Sequence, residues 1–354
     1  MSIKVLVVDD SALIRQLLEQ IVRSAPDMVF VGAAKDAYVA RDMVNQFSPD
    51  VITLDIEMPR MDGLTFLNKL MRARPTPVVM ISTLTEKGSE ATMKALELGA
   101  VDFIPKPRLG ITEGMAAYAE TILDKIRAAA ASHTALLRRP AMPRQKSGSV
   151  QQITGITGTE KLIGIGASTG GTEAIKQVLQ DLPANMPAVL ITQHMPAGFT
   201  RSFAGRLNSL SAMTVKEAEH GERILPGHAY LAPGDRHLKL TRSGANYEVC
   251  LSDGEPVNRH KPAVDVMFDS LAELAAGNSV GVLLTGMGKD GAAGMLHLKE
   301  QGAVTVAQNE QSCLVYGMPR AAVELGAATE VLPLENIAAY LVELMRRMGS
   351  GHRI

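Results

Sequence analysis

The feature that most constrains this chain is a rhythm that runs twice. Short apolar, β-branched runs alternate with stretches whose apolar residues recur every three or four positions, and a polar, proline-containing segment separates the two series. In the first series Val5–Val8, Phe30–Ala33, Val51–Leu54, Val78–Ile81 and Val101–Ile104 are predicted strands. Between the first two, Ala12–Arg23 places Leu13, Leu17, Leu18 and Ile21 on one helical face. Apolar runs without polar alternation suit strands covered on both faces, which predicts a parallel, doubly wound α/β sheet. A last helix is expected from Thr112 to Ala131.

The second series repeats the pattern. Leu162–Ala167 precedes a helix from Thr172, Ala188–Thr192 a helix after Pro196, and Val280–Leu284 a helix after Asp290. His237–Leu240 and Tyr247–Leu251, around Ser243-Gly-Ala-Asn246, carry a hairpin signal and predict an antiparallel insertion. The segment between the series holds Arg138, Arg139, Arg144 and Lys146, no carboxylate, and two prolines, the composition of an exposed linker. The expected organisation is a five-stranded domain over 1–127, a flexible linker over 128–159 and a larger Rossmann-like domain over 160–350.

Composition narrows the function classes. A net charge of −1 over 354 residues signals no nucleic-acid surface, although a local patch is compatible with it. Cys250 and Cys313 are too few for a disulfide framework or a cysteine-rich zinc site. The apolar run ending at Val8 lacks the cationic region and cleavage site of a signal peptide, and no stretch has the length of a membrane span. A cytoplasmic protein without membrane insertion is expected.

In the first domain Asp9 and Asp10 follow the first strand, Asp55 the third, Ser82 the fourth and Lys106 the fifth. A parallel sheet brings all five to its carboxyl edge, where such sheets bind ligands. Taken singly, Asp10 or Ser11 is a helix cap. Three clustered carboxylates instead repel one another unless a hard cation neutralises them, and Mg²⁺ suits an all-oxygen set. These positions resemble a two-component receiver domain. The resemblance implies that Asp55 accepts a phosphoryl group from a histidine kinase. It assigns Mg²⁺ to Asp9, Asp10 and Asp55, and contact with the phosphoryl group to Ser82 and Lys106. It also implies an aromatic switch without a hydroxyl at Phe103, and a Lys106–Pro107 peptide bond of a kind that is often cis.

The second domain carries Gly164-Ile-Gly-Ala-Ser168-Thr-Gly-Gly171 between a strand and a helix. As a dinucleotide loop it fails, because Thr169 stands at the third glycine and the next strand ends in Gln193-His194, not a ribose-binding acid. As G-x-S-x-G it lifts the Ser168 hydroxyl onto a sharp turn. A nucleophilic serine needs a base and an orienting acid. His194 ends the second strand, and Asp290 lies in the glycine-rich loop Thr285–Gly291 after a later one. Singly, each is equally a structural histidine or a helix cap. Of the other histidines, His260 in Arg259-His260-Lys261 is the reserve, in a basic cluster suited to an acidic group.

With Gln193-His-Met-Pro196, Arg259-His-Lys-Pro262 and Tyr316-Gly-Met-Pro-Arg320 added, the whole chain resembles the chemotaxis response-regulator protein-glutamate methylesterases, the CheB family. The resemblance implies a catalytic triad of Ser168, His194 and Asp290, with no cofactor in this half. The backbone N–H groups of Thr169, Gly170 and Met287 are the oxyanion candidates. The implied partners are methyl-accepting chemoreceptors as substrate and a chemotaxis histidine kinase as phosphodonor, with demethylation and deamidation as the reactions. Two other classes are weighed: an esterase fold without turnover acting as an interaction module, and a receiver with a DNA-binding output. Intact Ser168, His194 and Asp290 oppose the first, and an excess of carboxylates after residue 160 opposes the second.

Overall fold

The computed structural model describes residues 2–107, 115–132 and 161–350. The chain divides into two compact units, Met1–Pro140 and Ala141–Ile354. Among the described residues no helix is long and apolar enough to cross a membrane.

In the first unit five strands, β1 (Ile3–Val8), β2 (Met28–Ala34), β3 (Val51–Asp55), β4 (Val78–Ser82) and β5 (Asp102–Pro105), alternate with α1 (Ala12–Ser24), α2 (Ala37–Phe47), α3 (Gly63–Ala73), α4 (Glu86–Glu97) and α5 (Met115–Ala131). The strands form one parallel sheet in the order β2-β1-β3-β4-β5. Every residue of β3 and β4 is buried, as expected of strands covered on both faces. Helix starts are fixed locally: the side chains of Ser11, Asp36, Asp62 and Thr85 accept N–H bonds from the first turns of α1 to α4. α5 extends to Ala131, so the first residues assigned to the linker are helical. The expected helix start at Thr112 and the rest of the linker lie outside the described residues.

In the second unit β6 (Leu162–Ala167), β7 (Ala188–Gln193), β8 (Thr214–Glu217), β9 (His228–Leu231), β12 (Ser279–Leu283), β13 (Val304–Gln308) and β14 (Glu330–Leu332) form a parallel sheet in the order β14-β13-β12-β6-β7-β9-β8. Its helices are α6 (Gly171–Gln180), α7 (Thr200–Leu210), α8 (Val264–Ala275), α9 (Ala292–Glu300), α10 (Met318–Glu324) and α11 (Leu334–Ser350). The predicted hairpin exists as β10 (His237–Ser243) and β11 (Asn246–Ser252), which pair with each other in a separate two-stranded sheet. One face of it, with Leu238, Leu240, Tyr247, Val249 and Leu251, joins the core cluster of Met267, Phe268 and Leu271 on α8. Helix α8 therefore has apolar contacts on two sides, and its charged residues are confined to one stripe, Asp265, Asp269 and Glu273. The strand order reverses between β12 and β7 around β6, the crevice at which doubly wound sheets bind ligands.

Candidate active site

Strands β12, β6 and β7 are adjacent and parallel, so their carboxyl ends share one edge. Ser168 directly follows β6, His194 directly follows β7, and Asp290 lies in the loop after β12. Ala167 is in register with Gln193, and the next step sets Ser168 beside His194. Three bonds fasten this corner. The Ser168 N–H donates to the Thr285 carbonyl at 3.0 Å, the His194 N–H donates to the Ala167 carbonyl at 3.1 Å, and the Gln193 amide donates to the Ser168 carbonyl at 2.9 Å.

The glycines of the serine turn divide the work. Gly170, at φ +79°, makes the sharp entry into α6 that a side chain would strain. Gly166 is a packing residue: a Cβ there would lie 2.2 Å from Val264 Cγ1. Gly286 lets the Thr285–Gly291 loop pass against the serine, since its Cβ would come within 2.8 Å of Ser168 Cβ. The oxyanion candidates Thr169 and Gly170 stand at the N-terminal end of α6, where helix N–H groups and the dipole favour an anion. Met287 is on the facing loop, fixed by N–H bonds from Gly317 and Met318 to the Gly286 carbonyl.

The histidine and aspartate meet directly. His194 Nε2 lies 2.7 Å from Asp290 Oδ2, both side chains almost wholly buried, while His194 Nδ1 is buried with no hydrogen-bond partner. Asp290 accepts three further bonds: from Val264 N at 2.6 Å, Asn258 Nδ2 at 2.9 Å and Asp265 N at 3.2 Å. Burial pushes its pKa up, but His194 and these donors outweigh burial and hold the carboxyl below the ordinary range. Asp290 thereby caps α8 from another segment, and Asp265 on α8 reciprocates by accepting the Gly294 N–H of α9 at 2.7 Å. Asp265, buried and beside the Asp290 charge, is pushed up to about 6 despite that bond.

The sequence reading missed Asn258 and Asp265, and it held His260 only in reserve, without its contact to the triad. The His260 ring stacks on His194, with centroids 3.7 Å apart and planes 15° from parallel. Periodicity could not reveal this segment, which is neither helix nor strand. Its one local signal is Asn258, a residue type that tolerates a left-handed backbone, here at φ +51°.

In the first unit, the loop after β1 and the last residue of β3 bring ligand oxygens of Asp9, Asp10 and Asp55 within 4.8 Å of one another. Lys106 Nζ donates to Asp55 Oδ2 at 2.8 Å and lies 3.4 Å from Asp9 Oδ2, which accepts no hydrogen bond. Burial, countered by Lys106 and reinforced by Asp9, pushes Asp55 up to about 6, and burial also raises Asp9. An unbonded buried carboxylate oxygen within an all-oxygen set is what a hard divalent cation would complete, so these residues fit Mg²⁺. Ser82 ends β4 as expected, but its hydroxyl donates to the Gly88 carbonyl of α4 at 3.1 Å and accepts from Thr92 at 2.8 Å. Phe103 is buried. The Lys106–Pro107 bond is not cis; the cis peptide among the described residues is Lys261–Pro262.

Each of the two units matches a known family. The CheB methylesterase family model matches residues 163–341, and the response regulator receiver domain model matches residues 5–116. A Pseudomonas aeruginosa protein-glutamate methylesterase/protein-glutamine glutaminase 2 is 61% identical over 354 residues, covering 100% of both chains. A Bordetella parapertussis protein-glutamate methylesterase/protein-glutamine glutaminase is 59% identical over 99% of each chain. The crystal structure of the Thermotoga maritima CheB methylesterase catalytic domain is 43% identical, with a TM-score of 0.51, over 52% of this chain and 98% of that one. The chain belongs to the CheB methylesterase family and carries a receiver domain.

Proposed function

We propose, with membership of this family as the premise, that the chain hydrolyses glutamate methyl esters on chemoreceptors and deamidates their glutamines, with Ser168, His194 and Asp290 as the catalytic triad. The observation that carries the reading is the buried His194–Asp290 pair beside Ser168. Its Nε2 is committed to the carboxylate and its Nδ1 is left without a partner. Nδ1 is then the nitrogen that takes the Ser168 proton as Oγ attacks the ester carbonyl. Asp290 holds the ring and stabilises the imidazolium. Negative charge on the tetrahedral oxygen develops near the start of α6 and the Met287 loop, where N–H donors need no reorganisation. The imidazolium proton passes to departing methanol, or to ammonia when the substrate is a glutamine, and water then cleaves the acyl-serine with His194 again as base.

The receiver supplies control. Asp55 is the proposed acceptor of a phosphoryl group from a chemotaxis histidine kinase. Asp9, Asp10 and Asp55 would hold Mg²⁺, which offsets charge on the transferring group, and Lys106 pairs with the product. Ser82 would leave its bonds to α4 to contact the phosphoryl group. Phosphorylation of the 1–127 domain raises the activity of the 160–350 domain through the linker 128–159, giving receptor adaptation in the cytoplasm. The free thiols Cys250 and Cys313 suit that reducing compartment.

The test is methanol release from methylated receptor membranes. Ser168→Ala is expected to fold and to lose nearly all release. Turnover near the parent level in that folded variant would overturn the reading.

A further inference from the structure

Residues 257–260 form a tight two-residue hairpin beside the triad. Val257 and His260 exchange both backbone bonds, at 2.9 and 3.1 Å, and Asn258 and Arg259 have φ of +51° and +66°, the pattern of a type I′ turn. Arginine rarely adopts a left-handed backbone, and such strain gathers where the surroundings over-determine a site. Here the surroundings are the triad. The Asn258 amide donates one hydrogen to Asp290 Oδ1 at 2.9 Å and the other to Asp265 Oδ2 at 2.7 Å, using its full donor capacity between two buried carboxylates. Two residues on, His260 lies flat on the ring of His194.

Resting on the triad reading, we infer that this turn is a clip on the catalytic pair: Asn258 and His260 are positioning residues that set the Asp290 carboxylate and the His194 ring in register. An amide suits the task better than any charged group. It separates two carboxylates that would otherwise repel, and it adds no charge that would compete with His194 for Asp290. The stacked ring covers one face of the imidazole and limits its rotation about the bond to Asp290. Of the titratable groups around His194, Asp290 from the β12–α9 loop bonds it and His260 from the turn stacks on it, Asp265 of α8 reaches it only through Asn258 and Asp290, and the neighbouring cations Arg259 and Lys289 are exposed.

The sign of the effect follows. With the Asn258 donor removed, Asp290 is less satisfied and binds the His194 proton more strongly. The imidazolium is then favoured, and His194 becomes a free base only at higher pH. The full phosphorylated chain is assayed for methanol release across pH, beside Ser168→Ala. Asn258→Gly tolerates the left-handed backbone and removes the side chain that carries the amide. It is expected to lower kcat roughly 10–100-fold, leave KM within about twofold, and move the acid limb of the kcat profile to higher pH. Asn258→Asp, which also tolerates that backbone, is expected to move the limb in the same direction, and it serves if the glycine variant fails to fold. His260→Phe, which keeps a ring on His194, is expected to retain more kcat than His260→Ala.

An active Ser168→Ala would defeat the triad reading itself. With Ser168→Ala inactive, parent-like kcat and pH profile in both Asn258 variants overturn the clip. A fall in kcat with an unmoved acid limb overturns it equally, because that is the mark of general structural support. Equal losses in His260→Phe and His260→Ala overturn the part assigned to stacking.

Discussion

Asp55 and Asp290 occupy the same place in two similar frameworks, each a nearly solvent-free carboxylate at the carboxyl edge of a parallel sheet, yet their acidities are driven apart. Asp290 accepts bonds from His194, Asn258 and the N–H groups of Val264 and Asp265, and it is held in the ionised form. Asp55 has Lys106, one N–H at 3.3 Å and a second buried carboxylate nearby, and burial lifts it to about 6. The contrast lies in the supply of donors. The protein's own donors complete the charge at the first site, whereas the second keeps a buried Asp9 oxygen without a hydrogen bond and is the one proposed to take a cation and a phosphoryl group.

The sharpest way to break this contrast is at the finished site. His194→Ala is expected to lower kcat for methanol release by roughly 10⁴–10⁶-fold, and the double variant with Ser168→Ala to lose little more than either single one. Multiplying losses would show that the two do not work as a unit. Asp290→Asn comes next, at about 10³–10⁴-fold in kcat, with its thermal unfolding by circular dichroism checked in parallel because it also weakens the cap on α8. At the unfinished site, acetyl phosphate with Mg²⁺ is expected to add one phosphoryl group and raise hydrolysis roughly 5–150-fold. EDTA or Asp55→Asn should abolish both effects while basal hydrolysis persists. Labelling that survives in Asp55→Asn would move the acceptor elsewhere.

The smallest expected effect is one of stability. A carboxyl lifted from 3.8 to about 6 by folding binds its proton more tightly in the folded state. Its penalty is therefore absent below pH 3.8, grows as pH rises, and is complete above 6. Asp55→Asn should thus stabilise the Mg²⁺-free receiver by about 2 kcal/mol at pH 7, with the gain vanishing toward pH 4. Hydrogen exchange of receiver peptides in EDTA at the two pH values measures it. Equal protection in parent and variant at pH 7 would mean that Asp55 and Asp290 are not opposites.

Much of the frame was legible because strands buried on both faces leave long apolar runs: β1, β3, β4, β6, β7 and β12 were located to within a residue or two. Strands β8 and β14 carry polar or exposed residues at sheet edges and leave no such signal. β9 is only four residues long. The hairpin was visible in its alternation, but not its partner, since only α8 determines which face it covers. The sequence rejects Gly164-x-Gly166 as a dinucleotide loop but gives no packing reason for these glycines, which make room for Val264, Phe268 and Leu271 of α8.

What the sequence determined alone is the periodicity of its elements and the residues that end them. From these follow the parallel sheets and the gathering of Ser168, His194 and Asp290, or of Asp9, Asp55 and Lys106, at a carboxyl edge. Those are consequences of local backbone preference and of the rule that parallel strands end together. Which nitrogen of His194 meets Asp290, the bridge that Asn258 makes between two acids, and the His260 ring on His194 were decided by tertiary structure. Apart from the Asn258–Asp265 bond, which spans seven residues, they join segments about 30 to 100 residues apart through hydrogen bonds and packing, and no local pattern in the chain encodes the distance between side chains that meet only after the sheet has closed around them.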